Sequence, residues 1–235
     1  RSSWVTGVQT CALPILLVPE DWDRHVDPRE WTLGPDGLPF RRAARVLALT
    51  VDGMALLLTG HDVADPSHCW IFTPGGGIRP GETDRQAAAR ELAEESGIEV
   101  DPVALEGPVA QRDAVFRFAT VACRQDESFF LLRLPGPLTL ERAGWTELER
   151  DAVDSISWWT PAELDAAWSA GREIYPSAMP RLVHILRAGW DGTPLDLTEP
   201  ADAALLTQIG GASPSAPGAV PLDEPGAAPS ARKTH

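Results

Sequence analysis

Three glutamates, Glu91, Glu94 and Glu95, fall at i, i+3 and i+4 of one stretch, within roughly 100° of one face of a helix. Carboxylates so gathered repel one another unless a cation lies between them. Oxygen-only donors suit Mg²⁺ or Mn²⁺ rather than zinc. Ahead of them, Gly75, Gly76 and Gly77 follow Pro74, a run that forms no regular element but lets the backbone turn sharply and come close to a ligand. A glycine loop beside an acidic helix is a candidate site for a metal ion on a phosphate group. The competing interpretation of the acidic trio alone is a solvated helix face, with Arg90 and Glu94 as an i, i+4 ion pair.

The elements that must position these groups are legible nearby. Thr83 to Ser96 consists mostly of good helix formers, with Thr83 available as N-cap and Gly97 as the left-handed residue beyond the end. Ala88 and Leu92 lie where they can pack inward. Upstream, Arg41–Thr50 and Met54–Thr59 are β-rich apolar runs joined through Asp52-Gly53, a hairpin signal. Trp70–Thr73 is a short strand leading into the glycine loop. Downstream, 108–122 and 128–134 are two further strands, and Ser155–Trp159 is the last. Thr160-Pro161-Ala162-Glu163 opens a helix to about Ala170 with an N-cap, Pro at the first helical position and a capping-box glutamate. Ser177–Ala188, ended by Gly189, is another helix.

Gly76 to Ile98 resembles the Nudix box at every fixed position: Gly76, Glu82, Arg90, Glu91, Leu92, Glu94, Glu95, Gly97 and Ile98. The resemblance covers the box directly and residues 41–190 more loosely. It implies an α/β fold, the Nudix α/β/α sandwich with a mixed β-sheet. It also implies metal-dependent hydrolysis of a nucleoside diphosphate linked to another moiety. By the same resemblance, Glu91, Glu94 and Glu95, with a carbonyl of the Gly75-Gly76 turn, hold the metal; Arg90 orients Glu91; and Glu91 and Glu95 serve catalysis. A glutamate beyond the box often adds a ligand or a base in this family. Glu127, at the mouth of the strand 128–134, is the candidate, with Glu147 and Glu149 behind it. Gly76, Gly77 and Trp145 are assigned to substrate binding.

Other constellations are weaker. Trp70, Trp145, Trp158 and Trp159 could stack a base, and Arg112, Arg117 and Arg133 could meet phosphates, though Trp is more often core or rim. His25, His61, His68 and His184 are scattered, with no nucleophile motif beside them. Two alternatives stand against a hydrolase. One is a non-catalytic Nudix-like domain that senses a nucleotide, which the intact box glutamates disfavour. The other is isomerisation of an isoprenoid diphosphate, disfavoured by the missing second Cys/His/Glu set.

Composition bounds the rest. The 235 residues, 43% hydrophobic and 23% charged, allow one ordinary core with ends to spare. A formal charge of −14, with Lys233 the sole lysine, offers no basic track for a nucleic-acid polymer, so a small nucleotide substrate is expected. Cys11, Cys69 and Cys123 form neither a disulfide framework nor a zinc motif, which suits a reducing cytoplasm. No apolar run reaches membrane-span length. Oligomeric state is open, with a homodimer among the options.

Four segments are expected. Val5–Ile15 resembles translated sequencing adapter, so 1–15 is set aside as an artefact and the natural start is taken as missing. Residues 16–40 are a lead-in draped on the domain, 41–198 the catalytic domain, and 199–235 an Ala/Pro-rich disordered tail.

Overall fold

The computed structural model describes residues 18, 20–24, 26, 30–63, 65–118, 121–142, 144–145, 147–200, 202–203 and 220–221. In chain order the strands are β1 (Thr32–Leu33), β2 (Pro39–Thr50), β3 (Ala55–Asp62), β4 (Asp65–Phe72), β5 (Gly75–Gly77), β6 (Glu106–Phe118), β7 (Val121–Leu134), β8 (Val153–Trp159), β9 (Glu173–Tyr175), β10 (Leu195–Asp196) and β11 (Val220–Pro221). Helices are α1 (Asp84–Ser96), α2 (Glu147–Ala152), α3 (Pro161–Ser169) and α4 (Met179–Ala188).

The sheet is mixed. β2 runs parallel to β7 over its whole length, from Phe40↔Arg124 to Thr50↔Leu134, while β6 pairs antiparallel with β7 on its far side. Side chains alternate across this sheet, as the period of two requires. Leu47, Leu49, Phe129 and Leu131 face a core closed by Leu164, Leu182, Val183 and Leu186 of α3 and α4. Ala44, Val46, Ala48, Phe130 and Leu132 face a second core closed by Ala87, Ala88 and Leu92 of α1. Helices thus cover both faces, and the expected α/β/α sandwich with a mixed sheet is what the chain forms.

One feature of the sheet creates the site. β2 and β3 share the pair Leu49↔Ala55 beside their turn, and toward its N-terminal half β2 pairs instead with the glycine strand, Ala43↔Gly77 to Arg45↔Gly75. β3 continues away with β4 and β8. The glycines are needed in that slot: a Cβ on Gly75, whose φ is +147°, would lie 2.5 Å from Ala44 O. Here the run expected as an irregular loop is a short strand.

The lead-in is more than a drape. Thr32 and Leu33 extend the sheet antiparallel to Phe40 and Pro39, and Val26 and Trp31 pack with Val121 and Cys123 in a small third core. Within the segment expected as a tail, Asp202 and Ala203 are helical, and Val220–Pro221 forms a strand parallel to β10. Positions 201, 204–219 and 222–235, the adapter-like start, His25 and Cys11 lie outside the described residues.

Candidate functional site

The acidic helix is fixed at both ends by its own sequence. Thr83 Oγ1 accepts the Gln86 N–H at 3.3 Å, and Gln86 Oε1 accepts the Thr83 N–H at 2.9 Å, a reciprocal cap. Gly97 ends the helix at φ +74°, its N–H returning to Ala93 O. Leu92 is fully buried, and this anchors the face that presents the glutamates to the glycine strand.

Arg90 organises the cluster. Its guanidinium donates to both oxygens of Glu82, at 2.7 and 2.9 Å, to Gly77 O at 2.9 Å, to Glu91 Oε1 at 2.6 Å and to Glu94 Oε2 at 3.1 Å. Burial alone would make Arg90 less basic, but Glu82 and Glu91 hold it firmly protonated. In turn the bonds from Arg90 hold the Glu82 carboxyl below the usual range. Glu82, a fixed box position, is therefore the brace that aims Arg90. Arg79 adds a second cation on Glu94, at 3.2 and 3.3 Å, an interaction that sequence reasoning missed.

Glu91 and Glu95 are buried and touch the glycine strand. Glu95 Oε2 accepts the Gly75 N–H at 2.7 Å. A Cβ on Gly76 would stand 2.7 Å from the Glu91 carboxylate, so glycine there is the space in which Glu91 sits. Burial raises the Glu91 carboxyl pKa above its ordinary value, with Arg90 opposing.

Whether these residues suit a divalent cation is a question of donor chemistry and charge. Glu91, Glu94 and Glu95 supply oxygen donors only, beside a backbone whose missing Cβ leaves room next to Glu91. Among the described residues no three His, Cys, Asp or Glu side chains converge enough to hold an ion in this arrangement. Arg90 and Arg79 pair with Glu91 and Glu94, and the Gly75 N–H donates to Glu95, so a cation would have to take over from these donors. The donor set fits Mg²⁺ or Mn²⁺.

Glu127 is placed differently from the expectation. It lies inside β7 rather than at a strand mouth, 2% exposed, ion-paired with Arg45 and 3.4 Å from Arg112 Nη1, and it accepts from Gln125 Nε2 at 2.6 Å. Burial would raise its pKa, but Arg45 and Arg112 hold it below the usual range. Arg45 also reaches Thr73 O at 3.2 Å and Gly75 O at 3.4 Å, so Glu127 acts on the glycine turn through Arg45. Side chains of Glu147, Glu149 and Arg117 lie outside the described residues.

Trp145, expected at the substrate, lies in the core. At 5% exposure it packs in the α1 core, its indole N–H donating to Glu95 O at 2.7 Å, and it presents no free face to a base. The ring packs among the apolar side chains of that core with the Arg142 guanidinium 5.0 Å from its centroid, and the indole bond ties it to the last turn of α1. Trp158 bonds to Leu138 O, Trp70 stacks edge-on against His68, and Arg133 bonds to Glu106 and Leu186 O. Sequence reasoning also missed Glu30. Its carboxylate fills the space next to Gly77 and accepts from Arg41 Nη1 at 2.8 Å, while Arg41 lies over Trp31. An apolar pattern gives no hint of it, since its partners come from the sheet.

The domain model for the NUDIX domain matches residues 39–178, well over half the chain. The chain belongs to the Nudix family. Among curated relatives, it is similar to an RNA pyrophosphohydrolase of Cereibacter sphaeroides, 38% identical over 74 residues, 32% of this chain and 44% of the relative. That match spans less than half of the relative's length. It is also similar to an RNA pyrophosphohydrolase of Escherichia fergusonii, 28% identical over 145 residues, 57% of this chain and 80% of the relative. Among solved structures it is similar to the E. coli dihydroneopterin triphosphate pyrophosphohydrolase, with 24% identity, a TM-score of 0.43, and coverage of 63% of this chain and 94% of that one.

Proposed function

We propose that this chain is a Mg²⁺- or Mn²⁺-dependent pyrophosphohydrolase acting on a small soluble nucleoside diphosphate derivative, with water as the attacking group, in the cytoplasm. The observation that carries the reading is the junction of helix and glycine strand, where Glu95 grips the Gly75 N–H and Glu91 fills the space over Gly76.

Glu91, Glu94 and Glu95, with a carbonyl of the Gly75-Gly76 turn, would hold the cation. When bound, it supplies neutralisation of charge on the non-bridging oxygens and acidification of a water. Arg90 sets the orientation of Glu91 and is itself aimed by Glu82. Gly76 and Gly77 bring the backbone close to the phosphates, where a side chain would collide with Glu91 or Glu30. Proton transfer belongs to Glu91 or Glu95. Paired with two arginines, Glu127 is a poor acceptor and is assigned to fixing Arg45 against the turn.

A second reading is the 5′ end of RNA as substrate, favoured by the names of the two curated relatives. Against it stands the charge of −14, which opposes a polyanion held along its backbone. Incubation with a panel of nucleoside diphosphate derivatives and with 5′-triphosphorylated RNA in Mg²⁺, followed by identification of products, separates the two. Turnover of RNA with none of the small esters would overturn the substrate assignment.

A further inference from the structure

A buried arginine beyond the box is under-used. Arg112 of β6 is 9% exposed, its Nη1 is 3.4 Å from Glu127 Oε2, and its Nε has no hydrogen-bond partner. The guanidinium lies over the Tyr175 ring, 5.8 Å from the centroid. Nη2 faces two carboxylates of the segment after β10, Glu199 Oε1 at 3.5 Å and Asp202 Oδ2 at 3.8 Å. Glu199 Oε1 is buried yet makes no hydrogen bond.

These contacts are long for the group concerned. A guanidinium is a planar fork that meets an oxyanion through paired bonds of about 2.7–2.9 Å, and it matches phosphate as well as carboxylate. Leaving a buried N–H unmet costs stability, so the arrangement is that of an anion site poorly filled by the two side chains in it. Its place ties it to the box: Arg112 contacts Glu127, Glu127 pairs with Arg45, and Arg45 reaches Gly75 O.

We propose that Arg112, with Tyr175 beside it, is a subsite for a phosphate group of the substrate beyond the two held at the box, and that Glu199 and Asp202 occupy it until a phosphate chain displaces them. Calling the anion a substrate phosphate rests on the pyrophosphohydrolase reading; the anion site itself does not. The acidic segment then acts as a built-in competitor. Substrates with a longer phosphate chain gain a contact that a sugar diphosphate lacks.

The test is calorimetric titration of the full chain with inorganic tripolyphosphate, in EDTA so that no cation reaches the box. Glu199→Ala/Asp202→Ala should bind about fivefold more tightly than the unsubstituted chain, and adding Arg112→Gln should abolish that gain. Should the Arg112→Gln chain fail to fold, Arg112→Lys, which keeps the charge but loses the fork, should lose most of it. An unchanged affinity in the double variant, or a gain that survives loss of Arg112, would overturn the proposal. An equal gain for orthophosphate would overturn the substrate-chain assignment in favour of a free-phosphate site. With cation and turnover both excluded, failure here leaves the hydrolysis reading untouched, and the reverse holds as well.

Discussion

Glu95 reaches from the last turn of α1 to the glycine strand, where its Oε2 accepts the Gly75 N–H at 2.7 Å. One carboxylate thereby joins the helix that carries the acidic trio to the turn whose carbonyls would complete the ligand set. Glutamine at position 95 keeps the size and an acceptor oxygen but removes the charge. Glu95→Gln and Glu94→Gln should each keep the fold by circular dichroism while turnover at saturating Mg²⁺ falls about a hundredfold or more. Turnover above about half of the original in both variants would place these carboxylates outside the chemistry.

Gly76→Ala probes the space rather than the charge. The added Cβ, 2.7 Å from the Glu91 carboxylate, forces Glu91 aside. The Mg²⁺ or Mn²⁺ concentration for half-maximal activity should rise about tenfold, the scale seen when groups positioning a ligand are disturbed. An unchanged metal titration would show that Glu91 has freedom to spare.

Trp145→Phe keeps most of the ring packing and removes the bond to Glu95 O. A loss of about 1 kcal/mol in denaturant unfolding is expected, with no change in preference among bases. A shift in base preference with unchanged stability would restore Trp145 to the substrate site.

Much of this architecture was readable in the chain. The caps at Thr83, Gly97 and Thr160 act within a few residues, so local chemistry specifies them, and the structure has each one. Box spacing likewise put Glu91, Glu94 and Glu95 on one face. What could not be read depends on partners distant in sequence. Glu127 looked like a strand-end carboxylate because nothing nearby shows that β2 and β6 bring Arg45 and Arg112 against it. Trp145 looked free because its carbonyl partner, at Glu95, lies on another element. Glu199 and Asp202 sit in a composition typical of disorder, yet a buried arginine draws them in.

His68 gives a pH-dependent stability term far from the chemistry. The Glu173 bond at 2.9 Å, tying β4 to β9, raises the His68 pKa above its ordinary value. A raised folded pKa gives stability that is complete below the ordinary histidine range and is lost as pH rises through the folded value. His68→Gln should therefore lower the Tm at about pH 5.5, and the difference should vanish by about pH 9. A difference that grew with pH would contradict the charged pair.

Hydrolysis in oxygen-labelled water, with mass analysis of the products, tests the central claim most directly. A nucleoside diphosphate derivative incubated with Mg²⁺ should split at its diphosphate linkage, with the label entering one phosphate product. EDTA should remove the reaction, and Glu94→Gln or Glu95→Gln should reduce it about a hundredfold. Binding of the same compounds without any metal-dependent, label-incorporating cleavage would contradict the account and leave a nucleotide-sensing domain in its place.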